Sequence, residues 1–419
     1  MELKRVVITG LGAITPIGNT VSEYWDALCK GVNGAGEITR FDCTKFRTRI
    51  ACEVKDYDPQ KFFDRKESRK LDLYTQFAII ASDEAILDSN ITKDNTNFDE
   101  VGVVFSSGIG GINSFYEEVS AYATGDGTPR YNPFIIPKLL PDLAGGHISI
   151  KHGFRGPNFS TVSACASSAN AIAEGFNYIR YGMYPVVVVG GSEAAVSPPG
   201  IGGFEAMRAM TTRNDDPMTA SRPFDAERDG FLMGEGCGCL VLEDYDHAIA
   251  RGAKIYGEMV GCGLSCDAYH ITAPHPEGLG AMMCMQRALK SAGLQPTDID
   301  HINTHGTSTP AGDASEAMAI SQLFGEHIAN MPINSIKSMT GHLLGGSSAI
   351  EAIATILSLR DSIIPPTINH FNDDPSIDPN LDIVYWNARH KEMTYAISNA
   401  FGFGGHNASI IFKKYHYRD

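Results

Sequence analysis

The sequence lacks the features that mark membrane-spanning and exported proteins. No run of about 18 consecutive apolar residues is present, which argues against a membrane-spanning helix. The first residues, M-E-L-K-R-V-V-I-T-G, lack the apolar core of a secretion signal. The nine cysteines are an odd number without a repeating spacing, so a disulfide framework is not expected. These absences predict a cytoplasmic protein that does not insert into membranes.

Basic residues are also scarce relative to acidic ones. The chain has 34 Lys and Arg against 49 Asp and Glu, a formal net charge of −15. This balance argues against nucleic-acid binding, because phosphate contacts need clustered basic side chains. The one basic group lies in D-R-K-E-S-R-K and contains Arg65, Lys66, Arg69 and Lys70. The sequence leaves open whether it is a solvated helix face or a docking site for an acidic partner.

Apolar strands alternate with helical segments along the chain of 419 residues. The predicted strands lie near residues 4–11, 101–105, 158–162, 185–191, 255–260, 301–303, 333 and 396–399. The predicted helices lie near residues 25–28, 68–89, 167–181, 280–292, 313–323 and 347–359. This alternation predicts parallel α/β layers. The order recurs after residue 250 without a low-complexity linker, which predicts two duplicated α/β halves, residues 1–250 and 251–419, sharing one body.

A candidate nucleophile, Cys165, lies where a predicted strand turns into a helix, in S-A-C-A-S-S. Its small neighbours allow a sharp turn, and the helix N-terminus favours negative charge on the sulfur. A free thiol has a pKa of about 8.5, and the helix dipole lowers it by somewhat under one unit. Taken alone, a cysteine among alanines and serines is more often a buried structural residue than a nucleophile.

Three further segments place polar groups or glycines at predicted strand ends. They are H-I-N-T-H-G-T-S-T-P with His305, S-I-K-S-M-T-G-H-L-L-G-G with Lys337 and His342, and A-I-S-N-A-F-G-F-G-G-H-N near the C-terminus. Ligand-binding and catalytic groups gather at such positions in open α/β sheets. Four segments of this kind together predict an active site.

In this order, the four segments resemble the signature blocks of the β-ketoacyl-acyl-carrier-protein synthases. The resemblance covers essentially the whole chain, and G-G-F-E-A-M-R-A-M-T-T-R-N-D-D-P favours the type II enzymes. It implies a thiolase fold, with two α/β halves in a five-layer αβαβα arrangement, built as a homodimer. It also implies an acyltransferase that elongates fatty acyl chains by two carbons. A specialised ketosynthase of a polyketide or aryl-polyene pathway is the alternative.

The resemblance assigns a chemical role to individual residues of the four segments. Cys165 accepts the acyl chain, malonyl-carrier protein loses its carboxylate, and His305 and His342 hold the enolate oxygen. Phe401 would complete the oxyanion hole with Cys165 and act as a gate. Lys337 would organise the histidines, although its pairing with Glu351 could also be a plain buried ion pair. No cofactor is required, because phosphopantetheine arrives on the acyl carrier protein.

The resemblance also implies several binding sites. Thr307 and Thr309 would bind pantetheine, and Ile109, Phe134 from the partner subunit and Phe403 would form the acyl pocket. The carrier-protein docking surface would comprise Lys66, Arg69, Lys70 and Arg208. A structural monovalent cation would lie near Asn303, Glu351, Ser398 and Asn399; no catalytic metal is expected.

Two departures and three rivals remain at this point. S-A-C-A-S-S replaces the more usual T-A-C-T-S, and G-G-H-N replaces G-G-T-N, which adds His406 beside the gate.

A degradative thiolase would need a second catalytic cysteine in a C-terminal C-x-G block. A non-catalytic chain-length partner would lack the nucleophile, and a cysteine hydrolase would leave the second histidine and Lys337 unexplained. The cysteines in C-G-C and C-G-L-S-C lack zinc-type spacing and are expected to be small core thiols.

Overall fold

A computed structural model of the chain describes residues 3–416, and its main feature is one mixed sheet of ten strands. The strands are β1 (Val6–Ile14), β2 (Gly36–Glu37), β3 (Ile50–Ala51), β4 (Val101–Ser106), β5 (Asn158–Phe159), β6 (Val186–Glu193), β7 (Gly236–Asp244), β8 (Gly257–Cys266), β9 (His301–Asn303), β10 (Ile333–Asn334), β11 (Ile363–Ile364), β12 (Arg389–His390), β13 (Tyr395–Gly402) and β14 (His406–Lys414). The helices are α1 (Val21–Cys29), α2 (Arg65–Ser68), α3 (Leu73–Ser89), α4 (Ile112–Thr124), α5 (Ile135–Leu139), α6 (Leu143–His152), α7 (Ser167–Arg180), α8 (Pro198–Ala206), α9 (Tyr245–Ala250), α10 (Leu279–Ala292), α11 (Pro310–Phe324), α12 (Lys337–Thr340) and α13 (Ser347–Asp361).

The ten strands form two halves with the same topology. The N-terminal half has the order β5-β4-β6-β7-β1, and the C-terminal half has the order β10-β9-β13-β14-β8. In both halves the spatial order is third, second, fourth, fifth and first strand along the chain. The halves join through a short antiparallel pairing of β1 with β8, in which Val6 faces Met259. The repeated strand order supports the internal duplication that the sequence predicts.

The sheet and its helices form five layers. Helices α3 and α6 cover the outer face of the N-terminal half, and α10 and α11 cover that of the C-terminal half. Helices α7 and α13 lie between the halves, where each packs against strands of both. Every residue of α13 from Ser347 to Leu359 is buried, as expected for a helix enclosed on all sides. This is the predicted αβαβα arrangement of the thiolase fold.

The expectation of purely parallel layers is wrong. Strand β4 pairs in parallel with β5 and β6, but β7 runs antiparallel between β1 and β6. Similarly, β14 runs antiparallel between β13 and β8. For β14 the reason lies in the connection, because the short Gly-rich turn from β13 can only return the chain antiparallel. Residues 194–235 connect β6 to β7, and a connection of that length does not fix the direction of β7. Strand periodicity alone does not reveal strand direction.

Local side-chain bonds shorten or divide two predicted elements. The predicted helix at 68–89 is split into α2 and α3, because the Asp72 carboxylate caps a new helix start by accepting from the N–H of Tyr74. The predicted strand at 158–162 ends at Phe159. Beyond it, Thr161 donates to the Ser167 carbonyl and the Ser163 N–H donates to the Ser167 hydroxyl, so these residues form the turn into α7.

All nine cysteines are free thiols, and Cys237 and Cys239 are buried in β7. Both observations agree with the interpretation of the C-G-C segment as core thiols. The same expectation is wrong for C-G-L-S-C, where Cys262 is half-buried and Cys266 is exposed near the end of β8. Among residues 3–416, no helix combines the length and the apolar character needed to cross a lipid bilayer.

A glycine in β1 allows α3 to pack directly on the sheet, which leads to a stability prediction. A Cβ at Gly12 would lie 1.8 Å from the Ala81 carbonyl oxygen, a backbone atom that cannot move aside. We expect Gly12→Ala to destabilise the fold by about 1–3 kcal/mol or more, as overpacking does. Thermal unfolding monitored by circular dichroism would measure the effect. Gly36→Ala is the control, since a Cβ there meets nothing within 4 Å; equal melting temperatures for the two variants would contradict this packing argument.

Candidate active site

Cys165 lies in a strained turn that leads into the central helix α7. Ala164 has a positive φ of 51°, and residues Ala164–Ala166 form a single 3₁₀ turn before α7 begins at Ser167. The Ser167 hydroxyl stabilises the turn by donating to the Ala164 carbonyl at 2.7 Å. Gly402 packs against this turn so closely that a Cβ there would lie 3.0 Å from the Cys165 nitrogen. The turn therefore presents the thiol at the N-terminal end of a buried helix.

His342 lies two residues before the equivalent turn in the C-terminal half. Leu344 has a φ of 48° and begins a 3₁₀ turn, Leu344–Gly346, directly before α13. The Ser347 hydroxyl lies 2.8 Å from Nδ1 of His342 and orients the imidazole. The His342 N–H donates to the Leu232 carbonyl at 2.7 Å, which fixes the backbone as well.

His305 follows β9 and is held from behind by a buried carboxylate. Glu316 of α11 accepts from the N–H of His305 at 2.9 Å and from that of Gly306 at 2.8 Å. The rings of His305 and His342 are nearly perpendicular, with centroids 5.3 Å apart, and the Phe401 ring lies 5.9 Å from His305.

The three side chains converge at the base of one cavity. Ligand atoms of Cys165, His305 and His342 all lie within 4.8 Å of one another. The residues are 9%, 7% and 3% exposed, so the site is almost dry. The cavity has a volume of about 350 Å³, enough for an extended organic arm rather than a single water. This convergence of a thiol and two imidazoles is the arrangement that the four sequence segments predict.

Lys337 lies behind the histidines, 1% exposed, and forms an ion pair with the equally buried Glu351. Burial, followed by the Lys337 charge, holds the pKa values of His305 and His342 well below the ordinary value of 6.5. Burial raises the pKa of Glu351 to about 7, against the opposing effect of Lys337. Both imidazoles are therefore neutral at physiological pH, and each carries one N–H that can donate.

The thiol differs from the sequence-based expectation. Burial raises the pKa of Cys165 to about 11, although Lys337 and nearby backbone N–H groups oppose the shift. The helix N-terminus alone had suggested a slightly lowered value. Desolvation dominates because the sulfur is enclosed between the two halves.

The loop after β13 brings a backbone N–H close to the thiol. The N–H of Phe403, together with that of Cys165 itself, opposes the rise in the pKa of the Cys165 thiol. Phe401, the predicted oxyanion-hole residue, lies within β13, where it is in register with Asn407. We propose that the second oxyanion-hole N–H is that of Phe403.

The other predicted binding residues divide into two groups. Thr307, Thr309, Phe403 and Arg208 line the cavity, and the two threonine hydroxyls lie 2.9 Å apart. Ile109 is not part of the cavity wall. It packs in the same apolar cluster as Leu344, and Leu344 does line the cavity.

Phe134 lies outside the cavity of this subunit, in a separate surface groove. The groove is lined by Arg65, Lys66, Arg69, Lys70 and the segment 132–134. The Lys70 ammonium lies 5.2 Å from the Phe134 ring centroid. Arg208 is at the cavity mouth and does not line this groove.

The predicted cation-binding residues show partly unsatisfied oxygens. Asn303 Oδ1 and Glu351 Oε2 are buried and have no hydrogen-bond partner within residues 3–416. The Asn399 side chain is committed elsewhere, donating to Glu316 and accepting from Ser409, so it is not available to a cation. The two orphaned oxygens suit a hard cation.

Sequence reasoning missed two supporting residues. Glu316 lies eleven positions after His305 on the next helix, and Ser347 lies five positions after His342. A polar residue at the start of a small-residue helix was visible in G-G-S-S-A. Nothing in the sequence marks Glu316, because its role depends on where α11 folds back.

The raised pKa of Cys165 leads to a prediction for alkylation. The thiolate is the reactive form, so the rate constant for iodoacetamide should rise about tenfold per pH unit from pH 7 to about pH 10 without levelling. A thiol with the ordinary pKa of about 8.5 would level above roughly pH 9. Peptide mapping identifies the modified thiol, and Cys165→Ala supplies the blank. Levelling below pH 9 would show that the helix N-terminus outweighs burial.

Comparison with known proteins agrees with this geometry. The chain is 50% identical over 415 residues to a 3-oxoacyl-[acyl-carrier-protein] synthase 2 from Synechocystis sp., covering 99% of both chains. Its fold is similar to that of a β-ketoacyl synthase from Burkholderia phymatum, with a TM-score of 0.91, 35% identity and coverage of 99% and 100%. It is also similar to a ketosynthase solved in complex with a type II polyketide acyl-carrier protein, with a TM-score of 0.86, 31% identity and the same coverage.

The family matches divide at the same place as the two half-sheets. The β-ketoacyl synthase N-terminal domain matches residues 3–248, and the C-terminal domain matches residues 256–371. Together with the converging Cys165, His305 and His342, these matches show that the chain belongs to the β-ketoacyl synthase family.

Proposed function

We propose that the chain catalyses decarboxylative condensation of malonyl-acyl-carrier protein with an acyl group held on Cys165. The observation that carries this proposal is the enclosed contact of one thiol with two neutral imidazoles. The 50% identity to a 3-oxoacyl-[acyl-carrier-protein] synthase 2 supports fatty acyl elongation. The fold is shared with a polyketide ketosynthase at 31% identity, so a specialised pathway is the second candidate. Elongation of a panel of acyl-carrier substrates distinguishes the two.

In the first half-reaction, the Cys165 sulfur attacks the acyl thioester carbonyl. A C–S bond forms, the bond to the pantetheine sulfur breaks, and the thiol proton passes to the departing sulfur. The N–H groups of Cys165 and Phe403 stabilise the oxyanion of the tetrahedral intermediate. Because burial raises the pKa of the thiol to about 11, this stabilisation has to act as charge develops and not in the resting enzyme.

In the second half-reaction, malonyl-carrier protein loses its carboxylate and becomes an enolate. His305 and His342 donate to the thioester oxygen, on which negative charge appears. When the Ser347 hydroxyl donates to Nδ1 of His342, the imidazole hydrogen lies on Nε2, free to face the cavity. The enolate carbon then attacks the acyl carbonyl, and Cys165 leaves and regains a proton. These steps need no redox cofactor and no catalytic metal ion.

The acyl carrier protein is the proposed macromolecular partner. Carrier proteins are acidic, and the chain itself has a net charge of −15, so docking needs a local basic surface. The groove of Arg65, Lys66, Arg69 and Lys70 provides one, and Arg208 lies at the mouth that pantetheine would enter. Inside, Thr307 and Thr309 would hydrogen-bond the arm.

Three further proposals concern assembly and environment. Helix α4 and the segment after it expose the apolar side chains Phe115, Tyr116, Val119, Tyr122 and Ile136, which a second copy of the chain would cover in a homodimer. Asn303, Glu351 and the Ser398–Asn399 backbone would hold a monovalent cation that balances buried negative charge. The free cysteines fit a cytoplasmic location.

Replacing a histidine should affect decarboxylation and acylation to different extents. We expect His305→Ala or His342→Ala to slow carbon dioxide release from malonyl-carrier protein by about 10²–10³, the usual loss of about 3–4 kcal/mol for one donor to a developing oxyanion. Acylation of Cys165 should suffer much less, because it uses backbone N–H groups. Intact mass spectrometry follows the acyl-enzyme, and labelled carbon dioxide follows decarboxylation.

The pH dependence of decarboxylation by the wild-type enzyme tests whether the two imidazoles are neutral. Since both histidine pKa values lie well below 6.5, the wild-type decarboxylation rate should stay level as pH falls from about 8 to about 6.5. A His342→Ala protein that decarboxylates normally but resists acylation would instead make His342 the base for the thiol.

Charge reversal tests the docking surface. Replacing Lys66, Arg69 and Lys70 with Glu should raise the KM for acyl-carrier protein and spare a small acyl-pantetheine thioester, because complementary charge governs encounter. Added salt should narrow the difference from wild type. Charge reversal at the exposed Lys93 and Lys290 is the matched control. Equal losses on both substrates would identify the group as a solvated or structural face.

A further inference from the structure

Glu193, at the end of β6, is a fully buried carboxylate that the mechanism above does not use. It is 0% exposed, and no ion pair involves it within residues 3–416. An unpaired carboxylate in this position is costly unless hydrogen bonds replace its water. Its environment must therefore supply several donors.

Those donors come from two separate segments. Oε1 accepts from the Ser107 hydroxyl at 2.8 Å and the Ile109 N–H at 3.2 Å. Oε2 accepts from the Gly108 N–H at 2.8 Å and the Gly345 N–H at 3.0 Å. The first three belong to the loop after β4, and the fourth belongs to the turn of the other half. We call this carboxylate and its four donors the Glu193 bridge.

Two glycines allow these segments to meet. A Cβ at Gly108 would lie 2.8 Å from Glu193 Oε2, and a Cβ at Gly345 would lie 2.2 Å from the Gly108 nitrogen. The Gly345 contact is with backbone and cannot be relieved without moving it, whereas a side chain at Gly108 would push against the Glu193 carboxylate itself. The close approach is therefore built around the shared carboxylate, and a side chain at either position would disturb it.

Each end of the Glu193 bridge leads to a different part of the site. Ile109 packs in one apolar cluster with Leu344, Phe204 and Phe231, and these three line the cavity. Gly345 lies in the turn between His342 and Ser347, whose hydroxyl orients the His342 imidazole. The Glu193 bridge therefore connects the loop that carries Ile109 directly to the turn that carries Gly345.

We propose that Glu193 is a positioning residue that couples occupation of the acyl pocket to the orientation of His342. The coupling rests on the condensing function proposed above. Through it, decarboxylation of the malonyl substrate would depend on a bound acyl chain. The carboxylate suits this role, because Oε2 accepts from Gly108 of one segment and Gly345 of the other, while Oε1 holds Ser107 and Ile109. Glutamine would present an NH₂ group to one pair of N–H donors and break the bridge at one end.

The test compares decarboxylation with and without an acyl chain. Carbon dioxide release from malonyl-carrier protein is measured in single turnovers by free enzyme and by enzyme acylated with butanoyl or dodecanoyl chains. For wild type we expect acylation to accelerate release, more so for the longer chain. For Glu193→Gln we expect this acceleration to fall by about fivefold or more, the usual lower range of site-to-site coupling, with acylation itself retained.

Matched variants separate coupling from mere stability. Glu84→Gln is the control, because Glu84 also accepts two backbone N–H bonds, from Ala13 and Val21, and lies against α1 and β1 away from the cavity. Ser107→Ala removes one donor and serves if Glu193→Gln does not fold; it should reduce the acceleration in the same direction. The proposal would be overturned if acylation accelerated carbon dioxide release as much in Glu193→Gln as in Glu84→Gln. It would also be overturned if Ser107→Ala kept the wild-type acceleration. Wild-type enzyme that elongates without any acceleration would overturn the coupling and leave the condensing function standing.

Discussion

The buried ammonium of Lys337 is the interaction on which the active site depends. A lysine that is 1% exposed is costly, and the adjacent Glu351 carboxylate offsets that cost only in part. The residual positive charge acts on three neighbours. It lowers the pKa values of His305 and His342 and opposes the rise in the pKa of Cys165. Burial is the larger cause of the low histidine pKa values, and the ion that adds to it would also favour the proposed enolate.

The duplicated fold explains how these groups meet. Each half places a strained 3₁₀ turn in front of a central helix, with Ala164 at a φ of 51° in one and Leu344 at 48° in the other. In the first turn the following residue is the nucleophile, and in the second it is Gly345. The two turns face each other because α7 and α13 share the middle layer. One half therefore supplies the thiol, and the other supplies both imidazoles and the lysine.

Burial has opposite consequences for the two kinds of catalytic group. Neutral imidazoles are the form that the decarboxylation step uses, so desolvation of His305 and His342 favours that step. The thiol is disfavoured as a thiolate in the same environment, although the N–H groups of Cys165 and Phe403 oppose the rise in its pKa. The enclosure also excludes water, which would otherwise hydrolyse the acyl-enzyme. The site favours carbon–carbon bond formation at the expense of a less reactive resting nucleophile.

The sequence by itself determined the chemistry and the class of fold. Cys165, His305, Lys337 and His342 lie in segments whose small and Gly-rich character is visible locally, and strand–helix alternation is a local pattern. The antiparallel direction of β7 and β14 was not visible, because periodicity along one strand says nothing about its neighbour. The approach of the Phe403 N–H to the Cys165 sulfur was likewise not visible, because it depends on how the turn between β13 and β14 packs against the other half. The raised thiol pKa and the Glu193 bridge depend on residues more than 80 positions apart, and only the packing of one half against the other brings these groups together.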